Sequence, residues 1–203
     1  MTKLDLKKEL KHLYNPSAKE VSDVDVPPMN FLLVDGRGDP NTAREYVEAV
    51  EALYAVAYAL KFAVKKSKGG VDFAVMPLEG LWWVEDMTKF DIRDKGAWQW
   101  TMMMMQPKPV TAALFAATLP EVGAKKKLPA LSRVRFEPYA EGRATQILYV
   151  GPYADEGPTI ARLHEHIRAN GHTLHGKHHE IYLGDPRKTA PEKLRTVLRQ
   201  PFR

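Results

Sequence analysis

The sequence predicts an α+β domain, a tandem pseudo-twofold pair of strand-helix-strand-strand modules. Its sheet is mainly antiparallel, with helices on one side and a central ligand cleft. Three observations carry this reading. The order strand, helix, strand, strand occurs twice, in about 30–107 and again in about 145–203. Each copy leaves its first strand through a glycine turn, Gly36-Arg37-Gly38-Asp39 in one and Gly151-Pro152-Tyr153-Ala154 in the other. Strand 178–183 alternates, with His178, Glu180 and Tyr182 on one face and His179, Ile181 and Leu183 on the other. The apolar set is expected to pack on a helix and the polar set to face the cleft.

Residues 1–29 are mixed in charge, end in Val26-Pro27-Pro28, and read as an arm leading into the domain at 30–203. Strand 30–37 comes first. Thr42 and Glu45 then stand in capping-box spacing before Tyr46, Val47, Val50, Leu53, Tyr54, Ala57, Leu60 and Val64, which recur at helical period until Gly69-Gly70. Residues 71–76 alternate as a strand, 77–84 are apolar and aromatic, and 98–105 form a second apolar strand closed by Gln106-Pro107. Within about 108–144 a helix is predicted near 110–122, followed by a lysine-rich turn and strand 133–139. Strand 145–150 opens the second module. A helix begins near Pro158, with Ile160, Leu163 and Ile167 on one face, and strands 178–183 and 194–200 complete the copy.

A chain of 203 residues, 44% hydrophobic and 27% charged, buries a core without staples. It has no Cys, which excludes disulfides, thiolate metal sites and a Cys nucleophile. The apolar run 55–60 stops at Lys61, short of a membrane span, and the start MTKLDLKKEL lacks a signal peptide's apolar segment. A cytoplasmic location with no membrane contact is expected. The charge is uneven: residues 1–123 hold 15 Lys+Arg against 17 Asp+Glu, and 124–203 hold 15 against 8. Those positives are scattered and no DNA- or RNA-binding motif accompanies them, so direct nucleic-acid binding is not expected.

Six His crowd 164–179, yet His164 and His166 diverge on a helix and His178 and His179 point to opposite faces of a strand. No metal and no cofactor are expected. Only Ser17, Ser22, Ser67 and Ser132 are present, without a nucleophile elbow. Gly36-Arg37-Gly38 lacks the third glycine of a dinucleotide loop. The distinctive feature is aromatic: Trp82, Trp83, Trp98 and Trp100 beside four consecutive Met. Met with Trp makes an adaptable wall for flat apolar ligands, to which Met102 and Met104 contribute. A carboxylate in such a wall binds cations or acts as a base, and Glu79 and Glu180 are the candidates.

The run His178-His179-Glu180-Ile181-Tyr182-Leu183-Gly184-Asp185-Pro186, continuing through 189–201, resembles the stand-alone GyrI-like small-molecule-binding family. Pro77-Leu78-Glu79-Gly80-Leu81-Trp82-Trp83, Gly38-Asp39-Pro40-Asn41, Glu141-Gly142 with Gln146, and Val150-Gly151-Pro152-Tyr153 agree, in order. The resemblance implies tandem modules around a ligand cleft. Relatives in multidrug-sensing regulators bind flat, often cationic, compounds around a buried glutamate, but are fused to a DNA-binding module that does not fit here. Some stand-alone members hydrolyse the electrophilic cyclopropane of DNA-alkylating natural products with a glutamate, a tyrosine and tryptophan. Glu180 carries over as that glutamate, with Trp82 or Trp83 and Tyr182 or Tyr153 as its partners. The catalytic set expected is Glu180, Tyr182 and Trp82. The ligand-binding set is Glu79, Trp83, Trp98, Trp100, Met102, Met104, Tyr149, Tyr153 and His178. A non-catalytic module that sequesters ligands, or an accessory regulator acting through a partner protein, is the alternative.

Overall fold

A computed structural model describes residues 2–87 and 94–203. In chain order the elements are β1 (Thr2–Leu4), α1 (Leu6–Glu9), α2 (Lys11–Tyr14), β2 (Ser22–Val26), β3 (Met29–Arg37), α3 (Arg44–Lys66), β4 (Val71–Phe73) and β5 (Leu78–Trp83). They continue with β6 (Gln99–Gln106), α4 (Ala112–Lys125), β7 (Arg135–Tyr139), β8 (Gly142–Val150), α5 (Gly157–Ala169), β9 (His178–Tyr182) and β10 (Arg195–Pro201). Eight strands form one sheet in the order β2-β8-β10-β9-β5-β6-β3-β7, antiparallel throughout. Read from either edge the order is the same with the modules exchanged, and the pseudo-twofold axis falls between β9 and β5.

Each edge strand belongs in sequence to one module and in space to the other. β2 runs into β3 through Pro27-Pro28 but pairs with β8, while β7 runs into β8 through Ala140-Glu141 but pairs with β3. Six strand spacings of roughly 4.8 Å separate β2 from β3 within the sheet, about 29 Å. A two-residue link spans at most about 11 Å. The sheet must therefore roll until its two edges approach each other. Its inner face holds Val26, Phe31, Leu33, Leu81, Met103, Met105, Ala144, Leu148, Ile181 and Val197, and the arm closes it with Leu13 and Tyr14.

The long helices take the other face. α3 lies on the first module through Ala49, Ala52, Leu53, Val56, Ala57, Leu60 and Val64, against Leu32, Val34, Trp100, Met102 and Met104. Its small residues let the helix approach the strands closely. Gly36 makes room at the same place, because a Cβ there would stand 2.1 Å from the Trp100 ring. α4 joins this layer, and α5 covers the second module with Leu163 over Ile147 and Leu198.

Several expectations are revised. The arm is not separate from the sheet, since β2 is an edge strand of it. Strand 71–76 shortens to β4, which pairs with β1 in a two-stranded parallel sheet. The capping box does not form: α3 starts after Ala43 with no side-chain cap, and Glu45 instead meets Arg133. Ahead of the helix runs a turn in which Asp39 accepts from the amides of Asn41, Thr42 and Ala43. The faces of β9 are also exchanged. Ile181 and His179 turn inward beneath the arm, and Glu180 and Tyr182 face the helical side, between α3 and α5.

Candidate functional site

β5 and β9 meet at the pseudo-twofold seam in a register that opposes Gly80 to Glu180, Trp82 to His178 and Leu78 to Tyr182. Alternation sends Trp82, His178, Glu180 and Tyr182 to the helical face. There the Trp82 indole N–H donates to the Tyr182 hydroxyl at 3.0 Å, and that hydroxyl donates to Glu180 Oε2 at 2.7 Å. Each donor in this chain points toward Glu180, so the carboxylate is its terminal acceptor. His178 Nε2 stands 3.3 Å from the other oxygen, Oε1. The Glu180 side chain keeps 13% of its surface exposed, so it is reachable without being bathed in water.

Gly80 makes this geometry possible. A Cβ there would stand 2.7 Å from Trp82 Nε1 and 3.1 Å from the Tyr182 hydroxyl. Aromatic rings frame the chain from both modules. Tyr46 of α3 stacks on Trp82 at 6.2 Å, Trp98 meets Trp82 at 5.4 Å, and Tyr153 sets its ring edge-on to Tyr182 at 5.6 Å. Burial and the nearby Glu180 charge hold the Tyr46 and Tyr182 phenols well above their usual range, and burial with Glu156 raises Tyr153 to about 12. These hydroxyls stay protonated donors at every physiological pH. Glu156, just ahead of α5, is buried too; burial first and Glu180 second raise its carboxyl to about 9.

Glu180, Tyr182, Trp82, Trp98, Tyr153 and His178 are thus brought together. The other expected residues stand apart. Trp100, Met102 and Met104 are fully buried under α3 and back the aromatic wall rather than line it. Tyr149 donates to the Pro152 carbonyl at 3.1 Å and so anchors the turn that carries Tyr153. Trp83 faces away on its strand, with Lys177 Nζ 3.3 Å from its ring centre. A groove along α5 lined by Glu20, Arg162, Glu165 and His166 contains none of these residues.

Glu79 also faces away, into a sealed ionic cluster. It accepts from the Tyr14 hydroxyl at 2.8 Å and pairs with His179 Nε2 at 3.0 Å, while His179 Nδ1 pairs with Glu141 at 2.9 Å. Arg199 binds Glu141 at 3.0 Å, the Gln146 amide oxygen at 3.0 Å and the Leu13 carbonyl at 2.8 Å. Burial opposes both charges, yet two carboxylates lift His179 to about 9, and His179 with Arg199 holds Glu141 at about 2. Every partner is satisfied, so this cluster ties strands together and leaves Glu79 nothing to offer a ligand. Three residues of the outer site were not foreseen. Tyr46 sat within the apolar period of α3 and carried no separate signal; Glu156 and Thr196 are single polar residues in otherwise ordinary segments.

The pattern of the GyrI-like small molecule binding domain matches residues 19–203. The chain belongs to the GyrI-like family. An uncharacterized conserved protein from Listeria innocua is 41% identical to this GyrI-like chain, with a TM-score of 0.91 over 98% of this chain and 100% of its own. Two structures described as hydrolases from the same organism are 42% and 37% identical, with TM-scores of 0.87 and 0.85; they cover 100% and 98% of this chain and 100% of their own. No curated protein gives a significant match. Among the described residues of this GyrI-like protein, no helix is long and apolar enough to cross a membrane, and no group of three or more His, Asp or Glu is arranged to hold a metal.

Proposed function

We propose that this GyrI-like protein binds flat hydrophobic or cationic drug-like molecules at the seam between its modules and hydrolyses the electrophilic cyclopropane of DNA-alkylating compounds among them. The observation that carries the reading is the directed chain from Trp82 through Tyr182 to Glu180, set among aromatic rings from both modules. The two Listeria innocua relatives described as hydrolases support it.

A cyclopropane fused to a dienone is strained, and opening it restores an aromatic ring. The protein therefore needs to position one water, take its proton and keep out bulk solvent. Glu180 is the base. Tyr182 occupies Oε2, and Oε1, with His178 Nε2 3.3 Å away, is the oxygen left to meet the water, so the carboxylate approaches it in one orientation. General-base help of this kind contributes about 10² to 10⁴ in rate. Trp82, Trp98, Tyr46 and Tyr153 hold the planar substrate by stacking and edge contacts.

The test is incubation of purified protein with a cyclopropane-bearing alkylator, with ring opening followed by mass spectrometry beside Glu180→Gln and a protein-free blank. Water addition at least about 100-fold slower in the variant, with tryptophan quenching by the compound retained, is the expected result. Quenching without turnover in the unaltered protein would leave a non-catalytic module that sequesters its ligands.

A further inference from the structure

Glu156 brings a second carboxyl to the site, from the turn ahead of α5 in the same module as Glu180. It is 2% exposed, and its Oε1 is buried with no hydrogen-bond partner among the described residues. Two contacts fix its position. Its backbone N–H reaches the carbonyl of Tyr153, whose ring rests on Tyr182, and its carboxyl lies beside the side chain of Thr196, the register partner of Tyr182 on β10. A dry carboxyl with one oxygen unpartnered, within reach of the Glu180 charge, has no structural task that a glutamine or a leucine would not do better.

We propose that Glu156 is the proton donor of the ring opening, forming an acid–base pair with Glu180 in which each carboxyl comes from a different part of the second module. This rests on the hydrolase reading above. Glu180 takes a proton from water as the water oxygen bonds to the cyclopropane methylene carbon. The bond from that carbon to the dienone ring breaks, and its electron pair passes through the ring to the carbonyl oxygen. That oxygen takes the Glu156 proton and becomes a phenol. The proton on Glu180 then returns to Glu156, restoring both groups, and the sum is addition of one water.

The two carboxyls are held in opposite states by their surroundings. Glu180 and Tyr182 face Glu156 from β9, Tyr153 from its own turn, Tyr149 from β8 and Lys95 from the first module. Burial and the Glu180 charge favour the neutral acid, and Thr196 and Lys95 oppose them without prevailing.

The experiment measures kcat and KM for a cyclopropane-bearing alkylator from about pH 6 to 10 on the unaltered protein, Glu156→Gln and Glu156→Asp, with tryptophan quenching as the measure of binding. In the unaltered protein kcat should fall above about pH 9, as Glu156 loses its proton. Glu156→Gln should lower kcat about 100-fold with affinity within about threefold, and abolish that alkaline limb; Glu156→Asp should recover part of the rate. A glutamine variant with unchanged kcat and an unchanged alkaline limb overturns the proposal while leaving the hydrolase reading in place. So does a flat alkaline profile in the unaltered protein, which needs no variant to fold. Absence of ring opening in the unaltered protein sinks both.

Discussion

A methyl group at Gly80 would stand where the Trp82 indole and the Tyr182 hydroxyl now approach each other. Gly80→Ala should therefore part them. We expect about a tenfold loss of ligand affinity by tryptophan quenching, with a destabilisation of about 1–3 kcal/mol in urea unfolding. Tyr182→Phe removes the donor to Glu180 and the acceptor of Trp82 while keeping the ring, so the fold should persist and turnover drop more than binding. At this scale the sequence was informative where alternation decides. Trp82 and Trp83 fall on opposite faces, as adjacent strand residues must, and Glu180, Tyr182 and His178 share one. It was uninformative about depth. Glu79 sits in as aromatic a run as any ligand-binding residue would, and only Tyr14 and His179, distant in sequence, reveal that it is already fully partnered.

Strands β5, β9 and β10, with the β7–β8 turn, are held beneath the site by the ionic cluster. Removing one partner strands a buried charge, so Arg199→Met should cost about 3–5 kcal/mol, far more than loss of an exposed ion pair. The cluster also sets a pH dependence. Glu141 is depressed from 4.5 to about 2, so its contribution is present above about pH 4.5 and lost as pH falls toward 2. His179 is raised from 6.5 to about 9, so its contribution is complete below about pH 6.5 and lost as pH rises to 9. Glu156, raised from 4.5 to about 9, also weakens the fold as pH rises across that interval. Urea midpoints should be highest near pH 4.5, decline toward pH 2 and decline again as pH rises to 9, most steeply above pH 6.5, and Glu156→Gln should lessen the alkaline decline. Helices and strands were largely legible from period alone. The inward turn of the apolar face of β9 was not, because two apolar layers, one beneath the helices and one beneath the arm, compete for it, and alternation cannot say which receives it.

Across the whole molecule the duplication was legible in element order and in the two glycine turns, whereas the closure of the sheet was not. It depends on β2 finding β8 and β7 finding β3, pairings that join residues as far apart as Asp23 and Thr145 through links of two residues that look like ordinary turns. The arm completes the inner face with Leu13, Tyr14 and the carbonyls of His12 and Leu13. Deleting residues 1–15 should lower the unfolding midpoint markedly and expose the cluster to solvent, visible as amide exchange in β9 and β10. The seam carries one more implication, in time rather than in space. Trp82 and Tyr182 lie 100 positions apart, so the site is absent until a slow, long-range pairing between the two modules has closed. A ligand held between them then behaves as a removable cross-link: it should leave the early collapse of each half untouched, appear in fluorescence only in the last refolding phase, and slow the parting of the two halves as its concentration rises.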